Sequence, residues 1–262
     1  MQRTPITPVL SDFPEVFHPL LSSSLIFDSS CSPEARVYYV PKDGGFFLKA
    51  AAAGTLRQEA EMTVFFHSKG LGAEVIAYEP DGKDWLLTRR IAGEDCTFPA
   101  YLENPQRLCD TTATLLRQLH EISFSDCPVQ NRNELYLASA ERNASRGIFE
   151  ADLFPPDWCP NDAHSAWETV EACSKYLKTD VLLHGDYCLP NVMLDNWRFT
   201  GFLDLGKAGA GDRHFDILWG AWTLFFNLKT NDYYHRFLDV YGRDKVEPEL
   251  LRTAAALECF TD

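Results

Sequence analysis

The stretch LLHGDYCLPNVMLDNWRFTGFLDLG, residues 182–206, places polar side chains in an otherwise apolar segment. Asn191 follows Asp186 by five positions, and Asp204 stands two residues before Gly206. A carboxylate beside a hydroxyl group can accept its proton, while an amide oxygen and a second carboxylate can bind Mg²⁺. Transfer of a phosphoryl group from a nucleotide to an alcohol requires these groups. The segment therefore predicts Asp186 as the catalytic base, and Asn191 and Asp204 as metal ligands.

The spacing of these residues is that of the protein-kinase catalytic loop, D-x-x-x-x-N, followed by D-x-G. Each residue alone has a structural explanation, because Asp and Asn often occupy turns or cap helices. The combination of HGDxxxxN with DxG close behind favours a catalytic role. We interpret His184 as structural, because a loop histidine beside a catalytic acid more often holds the backbone.

A kinase-like site also needs a lysine on a strand and an acid on the following helix. Lys49 in GFFLKA ends the expected third strand, and the next helix offers Glu59 and Glu61. Spacing alone does not choose between these glutamates. The segment that should cover the phosphates, DSSCSPEARVYYV, has no glycine. Backbone N–H groups and hydroxyls such as Ser30 and Ser32 would therefore contact the phosphates.

Short strands and one helix are expected up to Arg89. Two hairpins are predicted around the turn sequences PKDGG and PDGK: Val37–Val40 with Phe46–Lys49, and Val75–Tyr78 with Trp85–Thr88. Between them, Thr55 and Gln58 have the spacing of a capping box and predict the start of a helix.

Helical patterns dominate after the connector near Ile91. Asn104 as cap and Pro105 at the first position predict a helix. Further elements are expected as helices from about Asn133 and over Asp162–Lys178, strands at Val181–Leu183 and Phe199–Leu203, and three C-terminal helices. We predict an α+β, bilobal, protein-kinase-like fold, with a small β-rich nucleotide-binding lobe at 1–90 and a larger, mainly helical catalytic and substrate-binding lobe at 91–262.

The charge composition indicates which classes of binding partner to expect. The 262 residues carry a net charge of −14, from 38 acids against 24 bases. This balance argues against nucleic acid or a membrane surface as partner and favours a cationic ligand. Prolines interrupt the N-terminal segment, so we expect no secretory signal and a cytoplasmic protein. Eight cysteines without a C-x-x-C pair predict reduced thiols, and no obligate protein partner is indicated.

The motif region, extended to HFDI at residues 214–217, resembles the signature of the aminoglycoside 3′-phosphotransferases, within the kinase-like phosphotransferase superfamily. The resemblance continues through SCSPEARVYYV, FFLK, LRQEAE, DWLLTRRIAG and LLRQLHEI. Members are bilobal, use ATP or GTP with Mg²⁺, and phosphorylate a sugar hydroxyl of a cationic antibiotic. The resemblance implies that Glu59, rather than Glu61, is the partner of Lys49. It also implies that Ser32 approaches the phosphates.

The resemblance further implies a substrate site in which carboxylates hold the ammonium groups of the drug. The carboxylates at the corresponding positions are Glu150, Asp152 and Glu258. The residues that depart from the usual family pattern, where charged residues are common, are Leu153, Trp222, Thr223, Phe226 and Cys259. Arg213 and Asp216 are implied to be mainly structural.

We therefore expect a Mg²⁺-dependent enzyme that moves the γ-phosphoryl group of ATP or GTP to a hydroxyl of a small, cationic molecule. The expected acceptor is an aminoglycoside 3′-hydroxyl, an activity of the antibiotic-resistance type. One alternative is a kinase of another hydroxylated small metabolite, motivated by the less acidic pocket. A second alternative is a nucleotide-binding pseudoenzyme, motivated by the glycine-free loop.

Overall fold

The computed structural model describes residues 3–22, 25–31 and 33–261. It divides the chain into two compact units: Met1–Gly93 with Thr200–Gly206, and Glu94–Phe199 with Lys207–Asp262. Asp204 therefore belongs to the same unit as Lys49, whereas Asp186 belongs to the other.

The first unit is built on a six-stranded antiparallel sheet. Its strands are β1 (Thr4–Ile6), β2 (Ile26–Asp28), β3 (Ala35–Val40), β4 (Phe46–Ala51), β5 (Val75–Asp81) and β6 (Lys83–Arg89). The order β1–β2–β3–β4–β6–β5 confirms both predicted hairpins, β3–β4 and β5–β6. The pairing of β4 with β6 places Lys49 opposite Leu86, in the middle of the sheet.

Two helices accompany this sheet, α1 (His18–Leu21) and α2 (Arg57–Ser68). The predicted capping box of α2 is wrong. The Thr55 hydroxyl donates to the Ala52 carbonyl at 2.6 Å, and Gln58 Nε2 donates to the Gly206 carbonyl at 2.6 Å. The Leu56 N–H instead donates to the carboxylate of Asp84, on β6, at 2.8 Å. An acceptor from a distant strand thus replaces the local one.

The N-terminal segment contributes to the hydrophobic core of the first unit. Phe13 and Phe17 are buried against the sheet, where they pack with Leu48 and Trp85. The rings of Phe13 and Trp85 lie 5.4 Å apart. Burial of such rings removes a large apolar area from water, so this segment stabilises the sheet that carries Lys49.

The second unit is mainly helical. Its helices are α3 (Pro99–Leu102), α4 (Pro105–Leu119), α5 (Arg132–Ser145), α6 (Ala163–Cys173), α7 (His214–Leu228), α8 (Tyr234–Tyr241) and α9 (Pro248–Glu258). Its strands are β7 (Glu94–Asp95), β8 (Val181–Leu183), β9 (Val192–Asp195), the start of β10 (Arg198–Phe202) and β11 (Gly209–Gly211). β7 pairs with β9 and β8 pairs with β11, both antiparallel. The segment with Asp186 therefore joins the end of β8 to the start of β9.

Local signals located the helix starts better than the helix ends. α4 begins at Pro105 as predicted, although the Asn104 side chain donates to the Ala100 carbonyl instead of capping the helix. The Asp162 carboxylate caps α6 by accepting the Ser165 N–H at 2.9 Å. The predicted end of that helix at Lys178 is wrong, because α6 ends at Cys173 and the Lys178 N–H donates to Asp212.

Within the described residues, no helix combines the length and the apolar character needed to cross a bilayer.

Candidate active site

The first unit contains a lysine held by two carboxylates. Lys49 Nζ lies 2.8 Å from Oε2 and 3.0 Å from Oε1 of Glu59, and 2.9 Å from Oδ1 of Asp204. Glu61, the other glutamate that spacing left open, instead pairs with Arg57 on the exposed side of α2. β4 supplies the lysine, α2 supplies the glutamate, and the segment after β10 supplies the aspartate.

Charge compensation keeps this lysine protonated. Burial opposes the ammonium form, but the negative charges of Asp204 and Glu59 outweigh it and hold the pKa of Lys49 above its ordinary value. Burial raises the pKa of Glu59, which is only 9% exposed, and the charge of Lys49 opposes that rise. The ammonium group is thus fixed in position and available to pair with an anionic ligand.

A cavity of about 240 Å³ in the first unit is lined by Lys49, Glu59 and Asp204. The apolar part of its lining includes Val37, Phe47, Leu86, Ile91, Phe202 and Leu205. Such a cavity can bury a flat apolar ring while the ammonium group pairs with a negatively charged group of the same molecule.

The loop before β3 is closed by its own hydroxyl groups. Ser30 Oγ accepts the Val37 N–H at 2.9 Å, and the Ser30 N–H donates to Asp28 at 2.9 Å. Hydrogen bonds from Ser30 lower the pKa of Asp28. Ser32, which the resemblance places at the phosphates, lies outside the described residues.

The second unit contains Asp186 and Asn191, the first two residues of the motif. Asn191 Nδ2 donates to Oδ2 of Asp186 at 2.8 Å and to its backbone carbonyl at 3.0 Å. Asn191 is 6% exposed and ends a 3₁₀ turn, Leu189–Asn191, immediately before β9. The amide nitrogen makes both bonds, and they orient the Asp186 carboxylate. The five-residue spacing therefore corresponds to direct contact.

The carboxylate of Asp216 anchors the backbone ahead of Asp186. It accepts the N–H groups of His184 at 2.7 Å and Gly185 at 2.8 Å, and it is fully buried. His120 Nε2 contacts the same carboxylate at 3.2 Å, and His120 Nδ1 lies 2.8 Å from the Tyr241 hydroxyl. The structure therefore gives Asp216 the positioning contacts that its implied structural role requires.

Two further residues hold this loop, and no sequence pattern identifies them in this role. The Tyr136 hydroxyl on α5 donates to the Gly185 carbonyl at 2.9 Å. Thr223 Oγ1 on α7 accepts the Leu189 N–H at 3.1 Å. Both residues are far from the motif along the chain and form part of helices. Thr223 departs from the usual family pattern, but no pattern in the sequence indicates that either residue holds this loop.

The residues implied for the acceptor have different environments. Glu150 and Asp152 are exposed on the segment between α5 and α6. Glu258 is only 1% exposed, and it accepts hydrogen bonds from Trp219 Nε1 at 3.0 Å and Thr261 Oγ1 at 2.8 Å. Burial raises the pKa of Glu258, and the positive charge of Lys207 opposes that rise. The two segments meet where the Glu150 N–H donates to the Cys259 carbonyl at 2.8 Å.

Aromatic side chains lie beside these acids. The rings of Trp222 and Phe226 are stacked at 4.9 Å, and Trp222 Nε1 donates to the Leu153 carbonyl at 2.9 Å. Phe226 is 49% exposed, so part of this stack faces solvent. The ammonium of Lys229 lies 4.2 Å from the ring centre of Phe226, which shows that the ring can accept a cation on its face.

Asn191 and Asp204 offer the ligand chemistry that Mg²⁺ prefers. The hydrogen bonds of Asn191 to Asp186 use its amide nitrogen, which leaves the amide oxygen as the ligand atom. Asp204 contacts Lys49 through Oδ1, and Oδ2 is its second carboxylate oxygen. Oxygen atoms of amides and carboxylates suit a hard cation. The residues present therefore fit the metal that the motif implies.

Comparison with known proteins decides the family. The family model described as the phosphotransferase enzyme family matches residues 33–254, which is most of the chain. The chain belongs to this family. The resemblance found in the motif region is thereby confirmed.

Relatives within the family are similar over most of their length. A probable aminoglycoside 3′-phosphotransferase of Lactococcus lactis subsp. lactis is 46% identical over 252 residues, which cover 96% of each chain. An aminoglycoside 3′-phosphotransferase of Niallia circulans is 30% identical over 234 residues, 86% of this chain and 88% of the relative.

A solved structure supports the fold assignment. The crystal structure of an aminoglycoside 3′-phosphotransferase of type VIII aligns with a TM-score of 0.70 and 25% identity, over 88% of this chain and 91% of that chain. The predicted α+β, kinase-like fold is confirmed.

The two glutamates of α2 provide a matched test of the lysine site. Glu59→Gln removes a charge that holds Lys49, so we expect kcat/KM for the nucleotide to fall about 10- to 100-fold through misplacement of the ammonium group. Glu61→Gln breaks an exposed pair worth at most about 1 kcal/mol and should leave kcat/KM nearly unchanged. Steady-state kinetics with varied nucleotide measures both variants. Equal losses would contradict the assignment of Glu59.

Proposed function

We propose that this family member transfers the γ-phosphoryl group of a nucleoside triphosphate, ATP or GTP, to the 3′-hydroxyl of an aminoglycoside. The observation that carries the reaction type is the Lys49 ammonium held by Glu59 and Asp204 at the lining of an apolar cavity. The acceptor is proposed from the 46% identity to a relative that bears the name of this activity.

Each residue has a proposed task that follows from its contacts. Lys49 pairs with the phosphates of the donor and is oriented for this by Glu59. Asp186, oriented by Asn191, accepts the proton of the attacking hydroxyl. Ser32 would contribute a hydroxyl to the phosphates. Asn191 and Asp204 would hold Mg²⁺. When bound, the metal neutralises charge on the phosphate oxygens.

Acceptor recognition is proposed to rest on carboxylates of the second unit. Glu150 and Asp152 are exposed and can pair with ammonium groups of the drug. Glu258, buried and bonded to Trp219, would act at the floor of the same region. Two aminoglycoside phosphotransferases of similar fold, 21% and 14% identical to this chain, have structures in complex with streptomycin and with hygromycin B, which supports an acceptor of this class.

Mass spectrometry tests the proposed reaction. Purified protein is incubated with Mg²⁺, ATP or GTP, and a panel of aminoglycosides, with Asp186→Ala as the inactive control. Drugs that carry a 3′-hydroxyl should gain one phosphate with the wild type alone, and drugs without this hydroxyl should not. Unmodified drugs in every reaction, with nucleotide still bound, would overturn the proposal. Omission of Mg²⁺, with a chelator present, should abolish the product.

The proposed role of the acceptor carboxylates predicts a separate effect on KM for the drug. Asp152→Asn should raise KM for the drug about 10-fold, because an ion-assisted hydrogen bond is lost, with little change in KM for the nucleotide. Asp157→Asn in the same segment is the matched control and should leave both constants unchanged. Steady-state kinetics at two salt concentrations checks this result, since added salt should raise KM less in Asp152→Asn than in wild type. Identical kinetics for Asp152→Asn and wild type would remove Asp152 from the acceptor site.

A second candidate is a kinase of another hydroxylated small molecule. The stacked Trp222 and Phe226, together with the buried Glu258, favour it, because an aromatic surface suits an acceptor with fewer charges. Phosphorylation of uncharged polyols or sugars, with none of any aminoglycoside, would support this candidate over the first.

A further inference from the structure

Two cysteines far apart in the sequence are in contact in the second unit. Cys159 Sγ and Cys259 Sγ lie 3.6 Å apart, and the residues are 100 positions apart in the chain. Both are buried. Cys159 lies in the irregular segment between α5 and α6, and Cys259 follows the last residue of α9. Neither thiol has a task in the proposed phosphoryl transfer.

The geometry requires only a small movement to join these sulphur atoms. A disulfide bond is about 2.0 Å long, so the two sulphurs must approach by roughly 1.5 Å. Cys159 belongs to a stretch without helix or strand, and Cys259 is the C-cap residue of α9. Backbone in such positions adjusts more easily than backbone inside a helix.

Two cavities lie beside the residues that flank Cys159 in the chain. Its neighbour Trp158 lines a cavity of about 260 Å³, and its neighbour Pro160 lines another of about 650 Å³. Arg252 lines both cavities. Cys159 and Cys259 line neither cavity, so a peroxide would have to reach the sulphur atoms from these cavities through a small local opening.

The two thiols are also chemically different. A hydrogen bond between the two thiols lowers the pKa of the Cys159 thiol, burial opposes this, and the positive charge of Arg252 favours the thiolate. The same bond, together with burial, raises the pKa of the Cys259 thiol. Cys159 is therefore the nucleophile of the pair, and Cys259 the resolving thiol.

We propose that Cys159 and Cys259 form a reversible disulfide when the protein meets a peroxide, which ties the acidic segment after α5 to the end of α9. The Cys159 thiol releases its proton, and the thiolate attacks one peroxide oxygen. The O–O bond breaks and the leaving hydroxide takes up a proton, so that a sulfenic acid and one water result. The Cys259 thiol then attacks the sulfenic sulphur, the S–S bond forms, and a second water leaves. Overall, two thiols are oxidised and one hydrogen peroxide is reduced to two waters.

The test uses the full-length protein treated with hydrogen peroxide, quenched by alkylation and analysed without reduction. We expect the peroxide-treated protein to carry two alkyl groups fewer than the untreated protein when both are alkylated after denaturation, and a dithiol reductant added before alkylation to restore both groups. Cleavage by trypsin leaves Cys159 and Cys173 in one peptide, residues 147–175, and Cys259 in residues 253–262. Mapping in a Cys173→Ser background therefore identifies the partner of Cys259 without ambiguity.

Stability provides a readout that does not depend on activity. Closing a loop of this length restricts the unfolded chain, so the oxidised protein should melt roughly 5–10 °C higher than the reduced protein. Cys173→Ser should keep the loss of two alkyl groups and the shift, whereas Cys159→Ser and Cys259→Ser should each show neither. If Cys159→Ser and Cys259→Ser fail to fold, the peptide map of the Cys173→Ser protein still shows whether Cys159 and Cys259 are linked.

Three results would overturn the proposal. Cys159 and Cys259 could both be found alkylated and unlinked after peroxide treatment, either residue could carry a sulfinic acid in place of a link, or Cys159 could be linked to a cysteine other than Cys259.

Discussion

Asp186→Asn is expected to lower kcat about 10²- to 10⁴-fold, the usual contribution of a general base. The substitution keeps the shape of the side chain and an oxygen that can accept the hydrogen bond from Asn191, which is 2.8 Å long in the wild type. Folding and nucleotide binding should therefore remain close to wild type. Steady-state kinetics, calorimetric titration with nucleotide and thermal melting measure the three properties.

A matched control separates the role of Asp186 from a general effect of charge. Asp195 is an exposed aspartate at the end of β9 in the same unit. Asp195→Asn removes the same charge from a site without a proposed role, so its kcat should stay near that of wild type. If Asp186→Asn retained wild-type kcat, Asp186 would not be the base, and another group would have to accept the proton.

Gly185→Ala is expected to be the most damaging single substitution for stability. Gly185 has φ +84°, and a Cβ at this position would lie 1.9 Å from the Lys207 carbonyl oxygen. The backbone must therefore shift, which disturbs the bonds that Asp216 and Tyr136 make to this glycine. We expect the free energy of unfolding to fall by about 3–5 kcal/mol, through strain, overlap and lost hydrogen bonds together.

Gly147→Ala isolates the contribution of backbone strain. Gly147 also has a left-handed conformation, φ +72°, but a Cβ there meets no atom within 4 Å. Its substitution should cost only about 1 kcal/mol. Urea denaturation of both variants gives the comparison. Equal losses would show that the close approach to Lys207 does not control this loop.

Patterns among neighbouring residues were sufficient to predict the two hairpins and the start of α4. They were also sufficient to identify the motif that contains Asp186 and Asn191. A hairpin depends on its turn and on the two strand-forming segments that flank it. Pro105 favours the start of α4 and acts within the first turn of that helix. The contact of Asn191 with Asp186 also spans only five positions. In each case the interacting groups are close along the chain, so their physical chemistry can be read from residue types and spacing.

The remaining features depend on residues that only packing brings together. Spacing left Glu59 and Glu61 equally open, and the rotation of α2 against the sheet directs Glu59 to Lys49 and Glu61 to Arg57. In the same way, Asp84 rather than Thr55 accepts the N–H at the start of α2. A local sequence pattern cannot specify how a helix is rotated about its axis relative to a strand that is distant in the chain.

The sequence alone therefore predicts the reaction type, because Asp186, Asn191 and the DxG aspartate occupy short, regular spacings. The tertiary structure alone decides which groups hold these residues in place and how exposed the acids are. The sequence presents Glu258 beside Glu150 and Asp152 as a carboxylate of the implied substrate site. The structure shows that Glu258, unlike the other two, is buried and bonded to Trp219 and Thr261. Burial results from the packing of many distant side chains, and no single stretch of sequence contains that information.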